Sequence, residues 1–113
     1  KGADLRGVNM QRAMLRDANM AGANLGPLDH IGAAALSNPT NLQSAKLNNA
    51  SLRGTILKHA QLAHAELVGA RLQDADLSNA DLTGADLTRA NLTDAKLEAA
   101  VVKDALGLPN RSQ

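Results

Sequence analysis

Residues 75–89 have the sequence ADLSN-ADLTG-ADLTR, three successive blocks of five with the same order of residue types. Each block begins with Ala, has Leu at its third position and ends with polar or small residues. The spacing extends in both directions: an apolar residue falls every five positions from Leu42 to Val102, and the register recurs from Ala3 to Leu25. The chain therefore contains eighteen five-residue repeats, thirteen after residue 39 and five before residue 26.

A period of five fits neither a helix nor a flat strand. Five residues rotate a helical side chain by about 140°, which scatters the leucines around the helix. An odd step along a strand places alternate leucines on opposite faces. The small residue and the Leu, two positions apart, can both point inward at strand spacing, so each repeat forms one side of a closed coil. We predict that the inward leucines form the core: Leu42, Leu47, Leu52, Leu57, Leu62, Leu67, Leu72, Leu77, Leu82, Leu87, Leu92 and Leu97.

The second residue after each central Leu marks a corner of the coil. Gly, Asn and Asp recur there, as at Gly54, Asp74 and Asn79. These residue types accept the positive φ that tight turns require. The remaining outward positions are mixed polar and charged, as a solvated wall requires.

The block Ala80-Asp81-Leu82-Thr83-Gly84 and its two neighbours resemble the A(D/N)Lxx motif of the pentapeptide-repeat family, over 90 of the 113 residues. The resemblance implies an all-β fold, a right-handed quadrilateral β-helix of about four and a half coils with four repeats per coil. Residues twenty apart are then expected to stack in columns. Examples are Leu42, Leu62, Leu82 and Val102 in the core, Lys46, Glu66 and Asp86 on one wall, and Ile56, Asp76 and Lys96 on another.

We expect a single domain with four parts: a first coil at 1–25, an interruption at 26–39, the main solenoid at 40–102 and a C-terminal cap or tail at 103–113. In the tail, Leu106 and Leu108 are expected to cover the last coil, because an open β edge invites pairing with another chain. The N-terminal end shows no such cap, which allows a homodimer through that end of the solenoid.

We predict that the interruption forms a loop or short helix between two stretches of repeats. Loops on a rigid scaffold often carry binding function, so this segment is a candidate partner-binding site. The alternative is a bulge that folds its apolar side chains against the solenoid itself. The residues concerned are Leu28, Asp29, His30, Ile31 and Leu36.

The sequence offers little catalytic chemistry. It has no Cys, and no Phe, Trp or Tyr, which excludes disulfides, thiolate sites and the aromatic stacking used to bind single-stranded nucleic acid. His59 and His64 hold equivalent outward positions in adjacent repeats, so a corner separates their rings, and we interpret them as surface residues. His30 has no evident partner. We therefore predict no enzyme activity, no metal, no cofactor and no direct contact with nucleic acid.

Two functions fit such a chain. The first is a structural scaffold whose flat polar walls, or whose segment 26–39, recognise a partner protein. The alternative follows from the similarity to family members that mimic DNA, bind DNA gyrase and confer fluoroquinolone resistance. Residues 73–113 carry four basic and seven acidic residues, a net −3, whereas residues 1–72 carry eight basic and four acidic residues, a net +4. Only the acidic half favours a DNA mimic.

No apolar run reaches the ~18–20 residues of a membrane span. We therefore expect a soluble protein, either cytoplasmic or, if a leader has been removed, in the thylakoid lumen or periplasm. The leucine-based, Asp- and Asn-rich style also resembles the small cyanobacterial and chloroplast members of the family, whose roles are largely unassigned. Neither the partner nor the compartment follows from the residues.

Overall fold

A computed structural model describes residues 3–25 and 40–108 of the chain. Instead of long strands, each repeat contributes one residue to parallel β-bridges, the residue just before the central Leu. From Asn41 onward the bridged residues are twenty apart, so four repeats complete one coil. Nineteen residues take part in these bridges, which corresponds to about four and three-quarter coils. No helix occurs in the described ranges, and hence none there that could cross a membrane.

The bridged residues form four columns, which define the walls of the solenoid. Wall 1 consists of Asp4, Asn24, Ile56, Asp76 and Lys96; wall 2 of Asn9, Asn41, Gln61, Asp81 and Val101; wall 3 of Met14, Lys46, Glu66, Asp86 and Leu106; and wall 4 of Asn19, Ser51, Arg71 and Asn91. The columns expected from a spacing of twenty, including Lys46, Glu66 and Asp86, are those observed.

The corners follow from a single backbone turn. In each repeat the amide of the Ala position donates to the carbonyl of the preceding Leu, as from Ala80 to Leu77 at 3.0 Å. The third residue of this turn has φ near +60° at all seventeen described corners, twelve of them without Gly. A β-turn with positive φ at that residue is of the type II kind. The chain thus accepts the strained left-handed conformation at residues as large as Arg12 and His64.

Leucine and alanine fill the interior. Ten of the twelve leucines predicted to form the core, Leu42 to Leu87, are at most 1% exposed, as is Leu25. The last two, Leu92 and Leu97, are only partly buried against the cluster, because no further coil of the described chain lies above them. Alternating Leu and Ala keeps the interior narrow, and burial of each Leu contributes roughly 1.5–3 kcal/mol before the entropy of ordering is counted.

The interruption leaves the order of the walls intact. Asn24 lies on wall 1 and Asn41 on wall 2, so the repeat after the interruption takes the next wall in sequence. Asn9 and Asn41 pair across 32 residues instead of 20. The described repeats on the two sides of residues 26–39 therefore follow one another in the usual order of walls.

Thr40 fixes the point where the chain re-enters the coil. Its side chain is buried, and its Oγ1 accepts a hydrogen bond from the Gly7 amide at 2.9 Å and donates to the Leu5 carbonyl at 3.2 Å. Most repeats have Ala at this position. The Thr40 hydroxyl thus ties the first coil to the second across the interruption.

The C-terminal cap differs from the expectation at one residue. Leu106 pairs with Asp86 on wall 3 and is 57% exposed, so it continues the wall and does not cover the core. Leu108 does pack against the core cluster. The intervening Gly107 has φ +82°, and a Cβ there would meet the Leu87 and Thr88 backbone, so Gly permits the chain to bend at this point.

Candidate interaction surface

The outward side chains are held by a hydrogen bond that explains the D/N in the motif. The Asp or Asn before each central Leu accepts from the backbone amide two residues later, as Asp86 Oδ1 does from Thr88 at 3.0 Å. This amide belongs to the residue after the central Leu, and it points away from the β-ladder between coils. Where the later residue is Thr, its hydroxyl donates to the same oxygen, at 2.6 Å for Thr83 and Thr88. These threonine hydroxyls hold the carboxylates in place on the walls.

An open groove of about 580 Å³ runs along wall 3 and over its corner with wall 2. The acidic side chains of Glu66 and Asp86 lie along it, with the apolar Val68 and Leu106 beside them. Asn48, His64, Ala65 and Gly84 complete its lining. The groove is therefore acidic and apolar at once.

Two contacts shape the groove. The His64 ring lies next to Gly84, where an added Cβ would be 2.6 Å from Nδ1, so the absence of a side chain at residue 84 leaves room for the ring. Asn48 bridges two coils: its Nδ2 donates to Glu66 Oε1 at 3.1 Å, and its Oδ1 accepts from the Val68 amide at 3.0 Å. In other repeats the Asp or Asn before the Leu accepts from the equivalent amide. Glu66 occupies that position here, and Asn48 of the preceding coil accepts from the Val68 amide in its place.

Hydrogen bonds stabilise the ionised form of both carboxylates in the groove. Hydrogen bonds from Lys46, at 2.9 Å, and from Asn48 lower the pKa of Glu66. Hydrogen bonds from the side chain and backbone of Thr88 lower the pKa of Asp86. Lys46 forms an ion pair with Glu66. Asp86 is held by the neutral Thr88, and the charge of Arg89 is the smallest of the effects on its pKa.

No wall of the described coils is acidic throughout. Wall 1 places Asp76 below Lys96, and wall 3 places Lys46 below Glu66. Asp86 lies on wall 3 and Asp81 on wall 2. The remaining acidic residues of the C-terminal half follow central leucines, at or near the corners: Asp74, Asp94, Glu98 and Asp104. The acidic half of the sequence therefore does not become a continuous acidic face.

The histidines of the described chain do not converge. His59 and His64 occupy corners at the ends of walls 1 and 2, both with φ 62°. Within residues 3–25 and 40–108, no three His, Cys, Asp or Glu side chains come together in a way that could hold a metal ion. The predicted partner-binding residues Leu28, Asp29, His30, Ile31 and Leu36 lie outside the described residues.

Sequence reasoning placed Glu66 and Asp86 in one column but did not reveal the groove. The groove depends on His64 lying next to Gly84 and on Asn48 reaching the next coil, and both contacts join residues near twenty apart. A search for a large residue followed by Gly at that spacing would have found the first of these contacts.

Comparison with known proteins identifies the family. The model of the pentapeptide-repeat family matches residues 1–26, 40–74 and 65–104, with eight copies of its repeat unit. The chain therefore belongs to the pentapeptide-repeat family, and its fold is the right-handed quadrilateral β-helix of that family. No curated protein matches the chain at a significant level.

Solved structures of the family share this fold. A pentapeptide repeat protein from the Arabidopsis thaliana thylakoid lumen superposes with a TM-score of 0.81 at 23% identity, over 99% of this chain and 72% of that protein. A pentapeptide repeat protein from Nostoc Pcc 7120 has a TM-score of 0.55 at 32% identity, over 83% of this chain and 64% of that one. The chain thus spans about two-thirds of the length of these relatives.

A plasmid-mediated fluoroquinolone resistance protein, QnrB1, also aligns over 93% of this chain and 63% of its own, but at 15% identity and a TM-score of 0.36. A likeness this distant carries no functional argument for the present chain.

Proposed function

We propose that this protein is a non-enzymatic scaffold that binds a partner protein through its walls. The observation that carries the proposal is that the interior is the same in every coil whereas the surface is not. The interior repeats Leu and Ala in every coil, whereas each wall presents a different series of side chains on the same backbone. Because the ladder holds wall positions about 4.8 Å apart, the walls are rigid surfaces that lose little entropy when they bind.

The groove on wall 3 is the best candidate for the binding surface. It places the apolar Val68 and Leu106 beside the carboxylates of Glu66 and Asp86. A partner segment with an apolar side chain next to Lys or Arg matches that pattern, because the apolar groups are buried together while the cation pairs with Asp86. Segment 26–39, with Leu28, Ile31 and Leu36, remains a second predicted contact.

Two observations support a role without catalysis. Pentapeptide-repeat proteins are generally structural or interaction proteins. In the part of the chain that the structure describes, Leu and Ala occupy the interior and no cluster of metal-ligating side chains forms. The groove is an open surface that does not exclude water from a reacting group, as catalysis normally requires.

The experiment uses two variants with matched chemistry. Glu66→Gln with Asp86→Asn removes both charges of the groove and retains hydrogen-bonding side chains. Asp81→Asn on wall 2 is the control, since Asp81 makes the same two hydrogen bonds to Thr83 that Asp86 makes to Thr88. The wild-type chain and both variants are expressed in the source cells, crosslinked in vivo and purified, and the captured proteins are quantified.

A partner that binds the groove is captured by the wild-type chain and by Asp81→Asn, and is lost with the double variant. If every captured protein is retained equally by all three chains, the groove is not the binding surface. Equal circular dichroism spectra of the three chains exclude misfolding as the cause of a loss.

A further inference from the structure

Six consecutive repeats, over residues 45–74, lack the Asp or Asn of the motif before the central Leu. The residues in that place are Lys46, Ser51, Ile56, Gln61, Glu66 and Arg71. None of them accepts from the amide after the Leu. Asn48 serves the Val68 amide instead, but the other amides of this kind donate no hydrogen bond within the described ranges: Asn48, Arg53, Lys58, Ala63 and Gln73. We call these outward backbone donors open amides.

Two of the open amides are stacked on wall 4. They belong to Arg53 and Gln73, which are twenty residues apart, and the Gly54 amide donates to the Gln73 carbonyl at 2.9 Å between the same two coils. Neighbouring coils are about 4.8 Å apart, so the two oxygens of a single carboxylate can each accept from one of these amides. The described chain therefore presents a pair of parallel N–H donors here without an acceptor of its own.

A second stacked pair, the amides of Arg16 and Asn48, lies on wall 3 and is not equivalent. Asn48 Nδ2 donates to Glu66 Oε1 at 3.1 Å and Lys46 Nζ donates to Glu66 Oε2 at 2.9 Å, so a carboxylate of the chain already lies there. Glu66 would repel a second carboxylate. On wall 4, in contrast, the bridged residues of the described coils are uncharged or basic: Asn19, Ser51, Arg71 and Asn91.

Two arginines lie beside the open amides of wall 4. Arg53 carries one of these amides, and Arg71 lies on the same wall two residues before Gln73. Both arginines are exposed, and neither side chain forms an ion pair or a hydrogen bond with the described part of the chain. Gln73 Oε1 is shielded from solvent and has no hydrogen-bond partner there either. A guanidinium has five N–H donors, so one arginine has enough donors for both a bound carboxylate and this oxygen.

The ligand that this arrangement fits is a carboxylate. Equivalent amides bind carboxylates within the chain, since Oδ1 of Asp76, Asp81 and Asp86 accepts from the amide two residues later, at 3.0 Å in each case. Arginine pairs with carboxylates through two parallel hydrogen bonds. A long polyanion such as a nucleic acid fits less well, because Asp74 is exposed at the adjacent corner and Asp76 lies on wall 1. These carboxylates would repel its further phosphates.

We propose that wall 4 binds an acidic segment of a partner protein, one carboxylate of which accepts from the Arg53 and Gln73 amides and pairs with Arg53 or Arg71. The carboxylate of the partner takes the place of the Asp that these repeats lack. This site lies on a different wall from the groove and takes a ligand of the opposite charge. The proposal therefore does not depend on the proposed function of the groove, and the two are tested separately.

Ser51→Asn tests the role of the backbone without a change of charge. An Asn side chain at this position can accept from the Arg53 amide, as Asn41 does from Gln43 at 3.0 Å, and so compete with the ligand. The wall accommodates it, because Asn9 and Asn41 are already stacked in adjacent coils. Ser51→Ala is the matched control, since the Ser51 hydroxyl makes no hydrogen bond with described residues and its loss leaves the amide open.

Arg71→Gln tests the charge. Arg12→Gln is its control, because Arg12 is exposed at the corner that follows wall 2, away from the site. The probe is a peptide with one Glu between Gly and Ser residues, acetylated at its N-terminus and amidated at its C-terminus, and the same peptide with Gln is the reference. Binding is followed in nitrogen–proton correlation NMR spectra of the isotope-labelled chain at constant ionic strength, which resolve each backbone amide and also report whether each variant is folded.

We expect the amide protons of Arg53 and Gln73 to move downfield with the Glu peptide and to stay in place with the Gln peptide. The Thr88 amide, which already has an acceptor, is expected to stay in place with both. Ser51→Asn is expected to weaken binding about fivefold and Arg71→Gln about threefold, whereas the two control variants bind as the wild type does.

The proposal is overturned if the Arg53 and Gln73 amides do not respond to the Glu peptide, or if Ser51→Asn binds it as tightly as Ser51→Ala. Two competitors test the class of ligand. Inorganic phosphate or a single-stranded oligonucleotide that binds these amides more tightly than the Glu peptide would assign the site to phosphate groups and overturn the assignment to an acidic protein segment. Weaker binding of both competitors supports that assignment.

Discussion

Leu72→Ala tests the central claim of the fold, that the leucines form stacked columns in a packed interior. Leu72 is 1% exposed and lies between Leu52 and Leu92 in its column. The coils above and below it are held by ladder hydrogen bonds, such as Leu72 N to Asn91 O at 2.8 Å. Because these bonds prevent the walls from collapsing into the cavity, we expect a loss in the upper part of the usual range, about 3–4 kcal/mol.

Leu97→Ala is the control, since Leu97 is a central Leu of the last coil, in the neighbouring column, and is only partly buried. Less apolar surface is lost there and the cavity opens to solvent, so we expect a cost of about 1–2 kcal/mol. The free energies of unfolding are obtained from urea titrations. They are followed by far-ultraviolet circular dichroism, because the chain has no Phe, Trp or Tyr for fluorescence.

A cost for Leu72→Ala no larger than that for Leu97→Ala would refute the packed-column interpretation. Leu72→Asp extends the test, because it places an unpaired carboxylate in the interior. A cost of several kcal/mol is expected, enough to unfold a domain of ordinary stability. Parent-like melting of this variant would show that the side chain at residue 72 does not point inward.

Three further predictions concern corners, pH and gyrase. Gly54→Ala and Gly84→Ala both place Ala at positive φ, +66° and +67°, and each is expected to lose about 1 kcal/mol. Gly84→Ala should lose more in urea titrations, because only there does the new Cβ meet the His64 ring; equal losses would mean that the ring is not held next to Gly84. The pKa of Asp86 lies below its ordinary 3.8 in the folded chain, so its contribution to stability is complete above pH 3.8 and disappears as the pH falls through the lower folded value. Asp86→Asn should accordingly weaken the dependence of the urea midpoint on acid, and an unchanged dependence would contradict this assignment. Because no described wall is acidic throughout, the chain should leave gyrase supercoiling unchanged with or without a fluoroquinolone, whereas salt-sensitive inhibition would restore the DNA-mimic alternative.

Most of the fold could be predicted because the period of five has few physical solutions. A small residue and Leu two positions apart must share a face, and a following corner must turn the chain, so burial and positive φ follow for residues as different as Leu72 and Asp74. The columns at a spacing of twenty followed from the family resemblance, and the bridges confirm them. The fold could therefore be predicted from local rules together with the number of repeats per coil.

The rest depends on contacts between coils that no local rule specifies. The wall taken by Asn41 after the interruption is fixed by pairing with Asn9, 32 residues earlier. The Thr40 hydroxyl, the ring of His64 and the amide of Asn48 find their partners only once the coils are stacked. For the same reason Leu106 was expected to cap the core, whereas the ladder to Asp86 retains it on the wall.

The solenoid separates the determinants of stability from those of recognition. Interior positions allow only Leu, Ala and similar residues, because a change there leaves a cavity between fixed walls and costs several kcal/mol. Wall positions are held by backbone bonds that do not depend on the side chain, so most changes there cost no more than about 0.5 kcal/mol. Wall charges such as Lys46 and Glu66 can therefore be set by what stacks above them or binds beside them. Residues twenty apart determine how the coils stack, and neighbouring positions of one wall are free to vary for recognition of a partner.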